Sequence, residues 1–142
     1  METNSSNSDG APIRAQPESL RGRGLNASLS VNDLERSLAW YQDVLGFTID
    51  QKYERGGRLV AVSLKAGEVQ ILIGQDDGAK GRDRVKGEGF SLQIKTAQNV
   101  DDIAGRIKAA GGTLETEPAD TPWGARVFRV RDPDGFRFAI SS

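Results

Sequence analysis

The chain has 142 residues, a formal net charge of −1, and 37% hydrophobic and 27% charged residues. This composition fits one soluble globular domain, or one domain plus a tail. It holds no cysteine and no histidine, which excludes disulfides, thiolate chemistry, and both the commonest metal ligand and the commonest neutral-pH base. So small a net charge offers no field to draw in nucleic acid or an anionic membrane. No apolar run reaches the length of a membrane span, and a cytoplasmic location is expected.

Residues 1–23, METNSSNSDGAPIRAQPESLRGR, are rich in Ser, Asn, Gly, Pro and Arg and lack the apolar middle of a signal peptide. A disordered leader is expected here, followed by one domain over 24–142. A basic docking arm built on Arg14, Arg21 and Arg23 is the other reading.

From Leu25 a pattern begins that later repeats. LNASLSV alternates, with Leu25, Ala27, Leu29 and Val31 on one face and Asn26, Ser28 and Ser30 on the other. A helix follows, with Asn32 as its expected cap, Glu35 reaching back, and an apolar stripe of Leu34, Leu38, Tyr41 and Leu45. Trp40 lies off that stripe, as a flank packing residue or a subunit contact. Gly46 is suited to end the helix. Strands are expected over 47–54, 58–65 and 68–74, with turns at Gly56-Gly57 and Ala66-Gly67.

The stretch QDDGAKGRDRVKGEG, centred on a linker over 76–88, is charged and glycine-rich. It reads either as a solvated connection or as a mobile flap.

The second copy spans about 89–141, as the first spans about 25–75. GFSLQIK puts Phe90, Leu92 and Ile94 on an apolar face. A helix follows with Asn99 as cap, Val100, Ile103, Ile107 and Ala110 inward, and Gly111-Gly112 closing it. Strands are expected over 113–117, 125–131 and 136–141, the last two joined by the Asp132-Pro133-Asp134-Gly135 turn. Each copy is strand, helix, strand, strand, strand. One such unit cannot cover both faces of its sheet, so two are expected to pair. The fold class is α+β: two tandem βαβββ modules forming a curved mixed sheet around a cleft, helices outside.

The paired module, with SVNDLERSLAWYQDVLGF and RVRDPDGFRF, resembles the vicinal oxygen chelate superfamily. That group holds glyoxalase I, extradiol dioxygenases, methylmalonyl-CoA epimerase, fosfomycin-resistance enzymes and the bleomycin-resistance proteins. In its metal-dependent members four strand positions hold a divalent ion. The resemblance places Asn26, Gln70, Gly89 and Ala139 there. Two amides and two residues without a donor fall short of a zinc, nickel or iron site. No metal and no other cofactor is therefore expected, nor glyoxalase or dioxygenase activity of the metal-dependent kind. Pro122, Trp123, Gly124, Arg126 and Phe128, ahead of Asp132-Pro133, are similar to a stretch of the metal-free bleomycin-resistance proteins. Members of the family often form homodimers, and one is expected here.

Alternation also gives a cleft lining. Asn26, Ser28, Gln70, Gln93, Arg129 and Arg137 point away from the helices, together with Ala139 and several small residues. No acid stands among them, although Asp50, Glu54, Glu68 or Asp120 could intrude from loops. Arg129 and Arg137 suit carboxylate or phosphate, or else they reach solvent at strand ends. Trp123 suits stacking on a planar ligand, or else it caps the core edge or a dimer interface. Gln70 and Gln93 either bind ligand or satisfy one another.

The candidate ligand-binding set is thus Asn26, Ser28, Gln70, Gln93, Trp123, Arg129 and Arg137, with no catalytic residue assigned. Three functions fit. The first is a metal-independent protein that binds a small molecule, sequestering a drug or metabolite. The second is a metal-independent isomerase, lyase or cyclase. The third is a dimeric interaction module with a vestigial cleft.

Overall fold

The structure is a computed structural model that describes residues 19–142; the leader expected over 1–23 falls largely outside them. The described residues form β1 (Ala27–Val31), α1 (Leu34–Ala39) continued by a π-helical turn (Trp40–Leu45), β2 (Thr48–Arg55), β3 (Arg58–Ala66), β4 (Val69–Gln75), β5 (Leu92–Lys95), α2 (Val100–Ala109), β6 (Leu114–Asp120), β7 (Arg126–Arg131) and β8 (Arg137–Ser141). The strands make two four-stranded sheets, ordered β1-β4-β3-β2 and β5-β8-β7-β6. In each sheet the first strand of the module runs parallel to its last, and the remaining pairs are antiparallel. The two tandem βαβββ modules are therefore as expected.

Alternation decides which face is buried. Leu29 and Val31 on β1, Val62 and Leu64 on β3, Ile71 and Ile73 on β4, Phe128 and Val130 on β7, and Phe138 and Ile140 on β8 are all at most 5% exposed. They join the helix residues Leu34, Tyr41, Val100, Ala104 and Ile107 in one core shared by both modules. Full burial of each Val, Leu, Ile or Phe side chain is worth roughly 1.5–3 kcal/mol. The rings lock the modules together: Tyr41 meets Phe138 edge-on at 5.8 Å and Phe47 at 6.0 Å.

Several local expectations change. The cap of α1 is Asp33, whose carboxylate accepts the Arg36 N–H at 3.2 Å, rather than Asn32. Asn32 stands one residue too early and instead gives its backbone N–H to Asp134. The helix widens at Trp40, so that half-buried Trp40 packs edge-on to Tyr41 at 4.9 Å, a flank packing residue. Leu25 is 96% exposed and precedes β1, and Phe90 precedes β5. On α2 the inward position is Ala104, while Ala110 is exposed. β6 runs on to Asp120 through Pro118, which an edge strand tolerates because one side needs no donor. As expected, Asn99 caps α2 by accepting the Asp102 N–H at 2.9 Å, and Gly46 ends the first helix at φ 94°.

The linker is pinned at both ends. Lys86, with its side chain 4% exposed, donates to Asp76 at 2.5 Å and to the Ser30 carbonyl at 3.0 Å. Arg84 and the Gly78 N–H also bind Asp76. The hydrogen bond from Lys86, followed by those from Gly78 and Arg84, holds the Asp76 carboxyl well below the usual carboxylate range.

Candidate functional site

Each sheet turns its second face away from the core. On the first sheet this face carries Ser28 and Ser30 of β1, Gln70 and Leu72 of β4, and Ser63 and Lys65 of β3, in register across the strands. β2 is irregular between Ile49 and Gln51. Ile49 packs against the core, so Asp50 keeps the alternating phase and presents its carboxylate on this face opposite Ser63, and the phase breaks only after it, where Gln51 shares the same partner. Asp50 Oδ2 accepts from Ser63 Oγ at 3.3 Å and from Gln70 Nε2 at 3.1 Å, and Lys65 stands 3.7 Å from Oδ1. The lining expected to be free of acids thus contains one, delivered by a strand rather than a loop.

The second sheet repeats the device. β6 is irregular between Leu114 and Thr116, and the extra residue is Glu115. It accepts from Arg131 at 2.7 Å and lies 4.0 Å from Arg137. The Arg131 hydrogen bond holds the Glu115 carboxyl below its ordinary value. Asp50 with Lys65 and Glu115 with Arg131 occupy corresponding places in the two modules.

A cavity of about 370 Å³ opens on the second sheet, lined by Gln93 and Lys95 of β5, Val127 and Arg129 of β7, Ser141 of β8, and the loop carrying Thr121, Trp123 and Gly124. Ala139 lies in register between Gln93 and Arg129 and is 1% exposed. The loop is fixed at its base, because the Thr121 N–H donates to the Ala125 carbonyl at 2.7 Å and the Ala125 N–H to Thr121 Oγ1 at 3.0 Å. Trp123 is thereby held out at 76% exposure.

The candidate residues divide between the sheets. Gln93, Trp123 and Arg129 come together in the cavity. Arg137 is exposed beside Glu115 and is outside the lining. Asn26, Ser28 and Gln70 belong to the first module; Asn26 is exposed just ahead of β1. Gln70 also donates to Ser63 Oγ at 3.0 Å and does not pair with Gln93. Lys95 was missing from the candidate set, though its two-residue spacing from Gln93 signalled it. Asp50 and Glu115 were signalled too, each following a core-packed residue (Ile49, Leu114) by one position, but the lining expected from the sequence took no residue from β2 or β6.

The four positions that the resemblance assigns to a metal do not fit one. Asn26 and Gln70 are neutral amides, Ala139 supplies no donor, and the Gln70 amide is already engaged. Gly89, expected as the third, lies in the turn ahead of β5; the strand residue in register with Ala139 is Gln93, another neutral amide. Among the described residues no group of three or more His, Cys, Asp or Glu side chains is placed to hold an ion.

Two βαβββ modules, each a mixed four-stranded sheet under its own helix, with a polar second face, define the two-module class of fold. The model of the Glyoxalase/Bleomycin resistance protein/Dioxygenase superfamily matches residues 25–140, and the chain belongs to that superfamily. It is 26% identical over 124 residues to the lactoylglutathione lyase of Salmonella typhimurium, covering 83% of this chain and 90% of that one. It is 24% identical over 132 residues to lactoylglutathione lyase GLX1 of Arabidopsis thaliana, where the match takes in 87% of this chain but only 45% of the relative's length. Among solved structures, TioX from Micromonospora sp. ML1 superposes with a TM-score of 0.64 at 24% identity, covering 83% of this chain and 94% of that one. Among the described residues no helix is long and apolar enough to cross a membrane.

Proposed function

We propose that the protein binds a small molecule without a metal ion, on the polar faces of its sheets, and sequesters it in the cytoplasm. The observation that carries this reading is Ala139: it sits buried between Gln93 and Arg129, where a chelating carboxylate would be needed, while the surrounding polar face is retained. The polar faces of both sheets are exposed in a single chain, with Ser28, Gln70, Gln93 and Arg129 all open. A homodimer that covers them completes the cleft, and sizing with light scattering checks the dimer.

The test of binding is thermal-shift screening against aromatic antibiotics, glycopeptides and carboxylated metabolites, with Zn²⁺, with Ni²⁺ and with chelator. A ligand that selects the folded state raises the melting temperature by mass action. The expected result is stabilisation that chelator leaves unchanged, with no lactoylglutathione formed or consumed under any metal. Stabilisation that appears only with metal overturns the reading.

A second reading, a metal-independent isomerase, lyase or cyclase, rests on Asp50. Its carboxylate is held by Ser63 and Gln70 yet its side chain is 35% exposed, as a proton acceptor requires. Conversion of a bound ligand by the wild type but not by Asp50→Asn would establish it.

A further inference from the structure

We infer that the cavity of the second sheet takes a planar aromatic anion, an aryl carboxylate, with Arg129 and Lys95 holding the charge and Trp123 covering the ring. This rests on the binding reading above and assigns its ligand class.

The charge balance of the sheet points to an anion. Arg126 is occupied by Asp101 at 2.7 Å and Asp120 at 3.1 Å. Arg131 is occupied by Glu115 at 2.7 Å, and the same carboxylate faces Arg137 at 4.0 Å. Lys95 and Arg129 alone line the cavity as cations; among the described residues neither makes an ion pair within 4.0 Å, and no Asp or Glu lines the cavity with them. Glu115 feels the Arg129 charge but spends its hydrogen bond on Arg131, so Arg129 keeps its donors for a ligand. Their strands flank β8, where Ala139 and Ser141 are both small. Two cations over a floor of small side chains, in a concave site partly shielded from water, attract an anion and suit the two oxygens of a carboxylate.

The planar requirement comes from Trp123. A tryptophan 76% exposed on a loop closed by three hydrogen bonds keeps a large apolar ring in water with little freedom to fold away. It borders the same cavity as the two cations. A ring stacked on it removes apolar surface from water and gains the geometric preference of aromatic pairs. The cavity of about 370 Å³ is at the small end for ligand sites, which limits the ligand to one or two fused rings.

The experiment titrates the full-length protein by calorimetry with four probes: naphthoate, neutral naphthalenemethanol, cationic naphthylmethylamine, and cyclohexanecarboxylate. Naphthoate is expected to bind at least about tenfold more tightly than the other three, with affinity that falls as salt is raised. Arg129→Ala, Lys95→Ala and Trp123→Ala are each expected to weaken it about tenfold, the scale of one charge-assisted hydrogen bond or one stacked ring. All three residues are exposed, and unchanged melting temperatures verify that the variants fold. Equal or tighter binding of the neutral or cationic probe overturns the ligand class while leaving metal-free binding intact. Naphthoate affinity that the three variants leave unchanged removes the site, as does an absence of binding by every probe. Binding that needs added metal removes the underlying reading instead.

Discussion

Tyr41 donates its hydroxyl to Asp132 Oδ2 at 2.7 Å, with the tyrosine 0% and the aspartate 5% exposed. This bond ties the helix of the first module to the turn that opens the last strand of the second. The other carboxylate oxygen accepts the N–H groups of Asp134 at 2.9 Å and Phe136 at 2.8 Å, so one side chain both shapes its turn and joins the modules. Tyr41→Phe keeps the ring contacts with Phe47 and Phe138 and deletes only the donor. Leaving a buried carboxylate oxygen without its partner costs about 1–3 kcal/mol. The expected outcome is a lower urea midpoint with an unchanged slope, and a midpoint equal to wild type would remove this bond from the account of stability.

Two aspartates make opposite contributions to pH dependence. Burial pushes the Asp132 carboxyl above its ordinary value, against the hydrogen bonds of Tyr41, Phe136 and Asp134. Its folded form therefore keeps a proton that the unfolded form has lost, and its contribution to stability falls as pH rises from 3.8 through the folded value. The Asp76 carboxyl is held low by Lys86, Gly78 and Arg84, so its contribution is present above 3.8 and is lost as pH falls below it. Urea unfolding followed across the acid range should show a flatter acid limb for Asp76→Asn. The same series should show less decline above pH 3.8 for Asp132→Asn. An acid limb unchanged by Asp76→Asn would contradict the ion-pair assignment.

What was legible in the sequence was whatever repeats with a fixed period. Alternation placed Leu29, Ile71, Phe128 and Phe138 in the core, because a sheet covered on one face allows only one phase. Caps were legible only to within a residue: Asn32 and Asp33 are both good caps, and the backbone N–H at the helix start found Asp33. Asp50 and Glu115 obey the same rule, one residue after core-packed Ile49 and Leu114; they were missed because the edge strands that carry them were left out of the expected lining. The division of the candidate site was hidden. Gln70 and Gln93 share a phase, but they sit on different sheets, and which sheet is a matter of topology rather than alternation.

Among the described glycines, the one packed most tightly against other backbone atoms is Gly87. Its φ is 76°, and a Cβ there would stand 2.7 Å from the Gly135 carbonyl oxygen and 2.8 Å from Phe136 Cα. These are backbone atoms of the turn that Asp132 organises, so they have little room to yield. Gly67 makes the matching control: its φ is 60° and nothing lies within 4 Å of its would-be Cβ. Gly67→Ala should cost about 1–2 kcal/mol for the left-handed backbone alone. Gly87→Ala should cost clearly more, by equilibrium denaturation of both variants. Equal costs would mean that the linker end is not packed against the turn.

Ala139 allows a direct test of whether one missing ligand accounts for the absence of a chelating set. Ala139→Glu puts a carboxylate between Gln93 and Arg129 in a position 1% exposed. Its bulk and charge must be accommodated there, which destabilises the fold even if Arg129 partly neutralises it. A single acid still leaves Asn26 and Gln70 as neutral amides. Gln93, in register with Ala139 on β5, is a third neutral amide, and Gly89, with φ 87°, lies in the turn ahead of that strand with a backbone that a histidine would strain. Three of the four corners therefore remain unsuited to Zn²⁺ or Ni²⁺. The expected outcome is a lower melting temperature that neither ion restores, read by thermal shift with and without each metal. A saturable stabilisation of Ala139→Glu by Ni²⁺ that wild type lacks would mean that the remaining positions are competent ligands, and that metal chemistry here is one substitution away.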